Sequence, residues 1–325
     1  MPAPLQIGLV GAGRRGRRLA QALAAAGAPG VLVGVTDADP ERAAALAAAT
    51  GAAVYTSTAA LLAAADVVLV AIPPPDAGLV ARTALAEGTP VFLAWPPTAG
   101  PAEAEALVAA AEEAGVEAGA SRPLPAAPLL AVRPAGWAAR LIALDLATHP
   151  DAGDDGDDDA SDPLAGRPWP HRLAGALDLC AALARSRDVL RVEAEAERGP
   201  GRTLRAVAFT LRFRNGAYAQ AAVTEAVAPL TPSARFRLFA TGGGVRVEAR
   251  GWDGPLCVDG SFSTSSPGSE TRDPLPAGAD PETTAAAREA LDFLTAVAAG
   301  RPAPFSVHDA LDTLRLTERL MERLR

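Results

Sequence analysis

Along the first 120 residues the apolar positions fall into short unbroken runs, near 7–10, 31–36, 53–55, 66–72, 91–94 and 116–120, separated by alanine-rich stretches of helical spacing. Continuous rather than alternating apolar runs mark strands covered on both faces. Their regular alternation with helices predicts an α/β fold, a doubly wound parallel sheet. Gly115 is placed to end a helix that starts near Pro101, and Pro123, Pro125 and Pro128 then break the pattern. Beyond them the period changes. Val207, Phe209, Leu211 and Phe213 share one strand face with Arg205, while Ala208, Thr210 and Arg212 point the other way. Asn215-Gly216 predicts a two-residue hairpin turn, and Tyr218 to Glu225 returns as the partner strand. Strands are expected again over 236–240, 245–249 and 256–258, and two amphipathic helices over 281–299 and 307–324. The expected organisation is a first domain over 1–121 and a second over 122–325, the latter built on a mostly antiparallel, open-faced sheet.

The chemistry-bearing signal lies at the start of that pattern. The apolar run Ile7-Gly8-Leu9-Val10 feeds into Gly11-Ala12-Gly13-Arg14-Arg15-Gly16 and then a helical pattern, which is a dinucleotide-binding fingerprint in its proper setting. Gly11 allows the tight turn, Gly13 lets backbone approach a pyrophosphate, and Gly16 lets the helix pack closely, with phosphate at the helix N-terminus. The second strand ends at Asp37, 21 residues after Gly16, where a carboxylate would hold the adenosine ribose hydroxyls. A carboxylate repels a 2′-phosphate and Ala38 adds no cation, so NAD(H) is expected over NADP(H). Arg14, Arg15 and Arg42 are the residues that keep NADP open. Arg14 and Arg15 are also candidates for the pyrophosphate, with a solvated arginine face as the equal alternative.

Composition narrows the setting. All 30 basic residues are arginine, so arginine clusters carry less weight than usual. Cys180 and Cys257, the only cysteines, show no metal-ligand or redox spacing, which points to a reducing cytoplasm with free thiols. The first strand begins within a few residues of Met1 and no apolar run approaches a membrane span, so neither signal peptide nor membrane anchor is expected. The net charge of −8 is concentrated in Asp151, Asp154, Asp155, Asp157, Asp158, Asp159 and Asp162, and no basic face predicts nucleic acid as a partner. The acidic stretch 151–162 partly imitates a calcium loop, but Gly153 takes a ligand position and no helices flank it. A self-repelling insertion is the better reading, with no metal site.

Taken together, GAGRRGRR at 11–18, TDADPERAAALA around Asp37, AIPPP at 71–75, FRNGAYAQ at 213–220 and the closing LDFLTAVAAGRPAPFSVHDAL resemble the Gfo/Idh/MocA family of NAD(P)-dependent oxidoreductases. That resemblance implies an N-terminal Rossmann domain, an open-faced sheet domain, and hydride transfer between the nicotinamide and a small polar substrate, a sugar-like alcohol or ketone or an imine. It also places Pro73, Pro74 and Trp95 at the cofactor and Trp95, Arg122 and His171 at the substrate.

Departures from the family fall on the proton chemistry. The family's Glu-Lys-Pro motif aligns with Ala94-Trp95-Pro96, so its proton-transferring lysine is an indole here. Indole donates one N–H and does not exchange a proton near neutrality, which leaves Trp95 stacking or positioning roles only. A family histidine after the Pro-Pro turn reads Ala77. Aligning Asp178 with the last member of the family's Asp, His, Asp series puts Gly175 at the catalytic histidine and His171 at the first Asp. His171 lies one helical turn before Gly175, where an imidazole could titrate instead, unless it serves only to begin a helix after Pro168-Trp169-Pro170. Catalysis is assigned to His171 with Asp178. The alternative is a retired family member that binds NAD(P) as a sensor or partner subunit. Apolar and aromatic content on the second sheet further predicts a homo-oligomer, most simply a dimer, formed through it.

Overall fold

The computed structural model describes residues 3–25, 28–74, 76–124, 130, 136–148, 168–226, 236–250, 256–259, 269–272 and 281–325. The acidic stretch 151–162 lies outside them, as do Pro75, Pro125 and Pro128. Backbone contacts divide the chain into two compact units, Met1–Arg122 with Thr283–Leu314, and Pro123–Glu282 with Arg315–Arg325.

In the first unit a six-stranded parallel sheet has the order β3-β2-β1-β4-β5-β6. Its strands are β1 (Leu5–Val10), β2 (Gly30–Thr36), β3 (Ala53–Val54), β4 (Val67–Val70), β5 (Val91–Leu93) and β6 (Ala118–Ala120). All four residues of β4 and all three of β5 are buried, which explains their unbroken apolar sequence. Helices α1 (Arg14–Ala25), α2 (Pro40–Thr50), α3 (Thr58–Leu62), α4 (Asp76–Ala86) and α5 (Pro101–Ala114) connect the strands. Asp39 caps α2 by accepting from the N–H groups of Glu41 and Arg42, and Gly115 ends α5 in a left-handed conformation.

A single cut after residue 121 does not describe this unit, because residues 283–314 return to it. Most of α7 (Pro281–Ala298) packs here, with the Phe293 ring 5.4 Å from that of Phe92. Gly119 on β6 makes the approach feasible, since a Cβ there would come 2.8 Å from Phe293 Cε2.

The second unit is an eight-stranded sheet with the order β14-β13-β12-β11-β7-β10-β9-β8. It comprises β7 (Leu141–Thr148), β8 (Val189–Arg198), β9 (Leu204–Phe213), β10 (Tyr218–Glu225), β11 (Phe236–Gly242), β12 (Val245–Arg250), β13 (Leu256–Asp259) and β14 (Ser269–Arg272). Only β7 and β10 pair in parallel; every other neighbour is antiparallel. The β9–β10 loop differs from the expected two-residue turn. Arg212 pairs with Tyr218, Phe213 N–H donates to Ala217 O, and Gly216 takes φ +85°, so three residues, Arg214 to Gly216, form the loop. Asn215 accepts from Ala217 N–H through its side chain, closing it. One face of the sheet is covered by α6 (Trp169–Ala184), whose Leu173, Leu177 and Cys180 join Ile142, Leu144, Phe209 and Val223 in a common core. The closing helix α8 (Val307–Arg323) adds Leu320 to it.

Candidate functional site

The order of the first sheet reverses between β1 and β4, and in such folds the ligand crevice opens at the carboxyl ends of the strands flanking that switch. The glycine loop sits there. Gly11 has φ +101°, and a Cβ on it would lie 2.7 Å from Ile72 Cγ2 and 2.8 Å from Ala71 O, so only glycine fits the turn leaving β1. A Cβ on Gly16 would overlap the Gly11 carbonyl, so α1 starts directly against the loop. Gly13 is different in kind: its missing side chain faces space with no atom within 4 Å. That open side of the loop, at the N-terminus of α1, fits a pyrophosphate.

Asp37 follows β2 and is mostly buried. Its Oδ2 accepts from Ala12 N–H at 2.6 Å, within the glycine loop, and its Oδ1 from Asp39 N–H at 2.8 Å. The carboxylate therefore braces the loop, and because each oxygen can accept two hydrogen bonds and uses one of them here, both have capacity for a ribose diol. Arg42 leans towards this acid, its Nη2 3.7 Å from Asp37 Oδ1, while its Nε donates to Asp39 Oδ2 at 2.9 Å. The cation is thus already engaged by two carboxylates.

Arg14 is exposed on the first turn of α1, whereas Arg15 is half-buried and its Nη1 donates to the Trp95 carbonyl at 2.5 Å. Trp95 follows β5. Its N–H donates to Ser121 Oγ at 2.7 Å, its peptide to Pro96 is cis, and its indole is 4 % exposed. Pro73 and Pro74 lie in the segment after β4, and the Pro73 carbonyl accepts from Ala77 N–H at the start of α4. Arg122 lies over the Phe305 ring at 4.4 Å, and its N–H donates to Glu289 Oε2. The fold therefore gathers Gly11, Gly13, Gly16, Arg15, Asp37 and Trp95 around the carboxyl ends of β1, β2 and β5.

In the second unit the remaining candidates ride on α6. His171 occupies its first turn, half-buried, with its N–H bonded to Pro168 O at 2.9 Å. Arg172 beside it is buried and meets Glu225 Oε2 at 3.4 Å, while Arg205 holds the other oxygen at 2.9 Å. The Arg172 guanidinium also sits 5.4 Å from the centre of the Trp169 ring, whose Nε1–H donates to Leu204 O at 3.1 Å, so the first turn of α6 is pinned to the ends of β9 and β10. Asp178 stands seven residues after His171, roughly 10 Å along the helix. It is 1 % exposed and ion-paired to Arg187 Nη2 at 2.8 Å. His171 and Asp178 are therefore not within proton-transfer distance of each other. At Gly175 a Cβ would overlap Leu124 Cδ1 and lie 3.3 Å from Leu124 Cβ. The position aligned with the family's histidine is thus filled from outside by a core leucine.

Three features escaped the sequence: the Arg15–Trp95 bond, the Arg187–Asp178 pair and the Leu124–Gly175 contact. Each joins segments whose spacing has no local period to reveal it.

The first unit is an NAD-binding Rossmann domain. Residues 5–120 match the GFO_IDH_MocA model, an oxidoreductase family with an NAD-binding Rossmann fold. No curated protein sequence matches the chain. Among solved structures it is similar over 99 % of its length to UDP-N-acetylglucosamine 3-dehydrogenase GnnA from Acidithiobacillus ferrooxidans, at 23 % identity, TM-score 0.78 and 98 % of that chain. An oxidoreductase from Agrobacterium radiobacter, solved with NAD+, L-tartaric acid and magnesium, is 19 % identical at TM-score 0.79, covering 99 % of this chain and 96 % of that one. A levoglucosan dehydrogenase solved with NADH and L-sorbose is 20 % identical at TM-score 0.76, covering 99 % and 97 %. The two-domain fold is therefore shared along the whole chain.

Proposed function

We propose that this chain is an NAD(H)-dependent dehydrogenase or reductase acting on a small polyhydroxylated substrate, a sugar-like alcohol or ketone or the corresponding imine. The observation that carries the reading is the glycine loop, open at Gly13 and braced by Asp37, in a chain that folds throughout like dehydrogenases named for sugar substrates. Bound nicotinamide supplies hydride exchange. The protein's own groups hold the cofactor and deal with the proton: Gly11, Gly13 and Gly16 shape the phosphate loop, Asp37 takes the ribose, and Trp95 walls the site without titrating. Asp37 and Asp39 together outweigh Arg42, which favours NAD(H) over NADP(H).

His171 is the titratable group we assign to the proton, and we assign Asp178 to holding α6 through Arg187. Replacement of His171 by Ala is expected to lower turnover by about 10²-fold while leaving NADH affinity unchanged, because the cofactor residues belong to the other unit. Wild-type turnover should titrate like an imidazole. The readout is nicotinamide absorbance over a panel of polyols, ketoses and imines. Unchanged turnover in the variant would remove the His171 assignment. NADH binding with no turnover on any of the panel would favour the sensor alternative.

The uncovered face of the second sheet supports a homodimer. Leu141 and Tyr218, 45 % and 40 % exposed, begin the two central strands β7 and β10 and pair with each other. Glu193, Glu195 and Glu197 are exposed on β8 at one side, and Arg237, Arg246 and Arg250 on β11 and β12 at the other. Two copies packed face to face about a two-fold axis parallel to the central strands would set the β8 acids of each against the β11 and β12 arginines of the other. Light scattering at micromolar concentration is expected to give twice the mass of the chain, and a monomer would refute this. No described helix is long and apolar enough to cross a membrane. The free, buried thiol of Cys180 supports the cytoplasmic location we propose.

A further inference from the structure

The bond from Arg15 to Trp95 runs across the crevice rather than along one wall of it. Arg15 stands on the first turn of α1, which leaves β1, and Trp95 follows β5, two strand positions away with β4 between them. Neighbouring strands lie about 4.8 Å apart, so β1 and β5 are separated by roughly 10 Å, and the first turn of α1 together with the Arg15 side chain bridges that gap over the end of β4, at the switch point where a dinucleotide lies. The far end of this strap is itself anchored. Trp95 is gripped through its carbonyl by Arg15 and through its N–H by Ser121, and its indole is buried. Where the strap starts, two residues from Gly13, the loop opens onto the space that fits a pyrophosphate.

We propose that Arg15 is a positioning residue that couples occupancy of the pyrophosphate site to the Trp95 segment. The inference rests on the cofactor reading above. Guanidinium presents five N–H donors in a rigid fork, so one group can serve a phosphate oxygen and a carbonyl through different nitrogens. A charge-assisted bond to phosphate is about twice as strong as a neutral one to a carbonyl. A bound dinucleotide therefore fixes the guanidinium, and the fixed guanidinium holds residues 94–100 against the nicotinamide half of the crevice. The Trp95 segment, already tied to Arg15 and Ser121, is held more firmly when the pyrophosphate site is occupied.

The test uses the full-length protein, calorimetry with NADH, ADP-ribose and AMP, and amide hydrogen exchange over residues 94–100 with and without each ligand. In the wild type, NADH and ADP-ribose are expected to slow exchange over 94–100, and ADP-ribose to do so although it lacks the nicotinamide. Arg15→Ala is expected to weaken both ligands about tenfold or more, the cost of one charge-assisted bond, and to abolish that protection. Arg15→Lys keeps the charge without the fork, so it should recover most of the affinity but not the protection. If Arg15→Ala misfolds, the Lys variant carries the test alone. Undiminished ligand-induced protection in a folded variant would overturn the proposal while leaving the cofactor reading intact. Failure of the wild type to bind NADH or ADP-ribose would overturn both.

Discussion

Gly175 is the position where a side chain is most informative, because the helix and the core pull in opposite directions. Within α6 a Gly→Ala change gains about 1 kcal/mol of helix propensity. Here the new methyl would overlap Leu124 Cδ1, and Leu124 is 1 % exposed, so its side chain has no solvent to turn into. Overpacking a tight core costs about 1–3 kcal/mol, so Gly175→Ala is expected to destabilise by up to roughly 2 kcal/mol net. Leu124→Ala alone should cost about 2–5 kcal/mol as a truncated core leucine. In the double variant the methyl enters the space the leucine leaves, and the helix gain is realised. The double-mutant cycle should therefore show a coupling of about 1–3 kcal/mol, with the double variant more stable than the two single losses predict. Native-state hydrogen exchange of the α6 amides reads this locally, independently of how the other unit unfolds. Additivity within about 0.5 kcal/mol would refute the contact. The same geometry explains why histidine cannot be returned to this position by one substitution: Gly175→His needs Leu124 removed as well.

How far the sequence reveals this molecule depends on the range of each interaction. The doubly wound sheet was legible because strands buried on both faces, such as Val67–Val70, must be apolar throughout. Gly11 and Gly16 were legible because a tight turn and a close helix start impose residue types at fixed short spacing. The return of α7 to the first unit was not. It depends on Phe293 meeting Phe92 some 200 residues earlier, and a phenylalanine in an amphipathic helix does not declare its partner. The hairpin was misread by one residue, since Asn-Gly also closes a three-residue loop when the glycine takes the left-handed position after a turn. The spacing offers Arg15 as a pyrophosphate or solvent group; its bond to Trp95, 80 residues on, depends on a strand order that brings the ends of β1 and β5 together. The motif suggests a proton carrier at Asp178, while its burial and its pairing with Arg187 support the proposed role of holding α6.

Two further outcomes follow from that helix. Arg187→Ala takes the guanidinium from a carboxylate that is 1 % exposed, and should cost about 3 kcal/mol in chemical denaturation. If Asp178 only holds structure, turnover per folded molecule stays at the wild-type level, and a loss of 10²-fold would return Asp178 to the catalytic set. Cys180 lies two residues after the same acid on α6. Burial first, and the Asp178 charge second, push its thiol from 9.0 up to about 12. Below pH 9 the thiol is protonated in both folded and unfolded chains and adds no pH dependence. From pH 9 to about 12 the unfolded chain releases the proton while the folded one keeps it, so stability falls as pH rises through that window. The loss approaches about 4 kcal/mol at its alkaline end. Cys180→Ala lacks this term, and the wild-type advantage over the variant should be constant up to pH 9 and shrink above it. Mass spectrometry after brief alkylation at pH 8.5 should find Cys180 unmodified in the folded protein and modified in urea, because the thiolate, not the thiol, is the nucleophile. Rapid alkylation of Cys180 in the folded chain would mean that the interior of α6 opens to solvent, and would undo the argument for a sealed core beneath it.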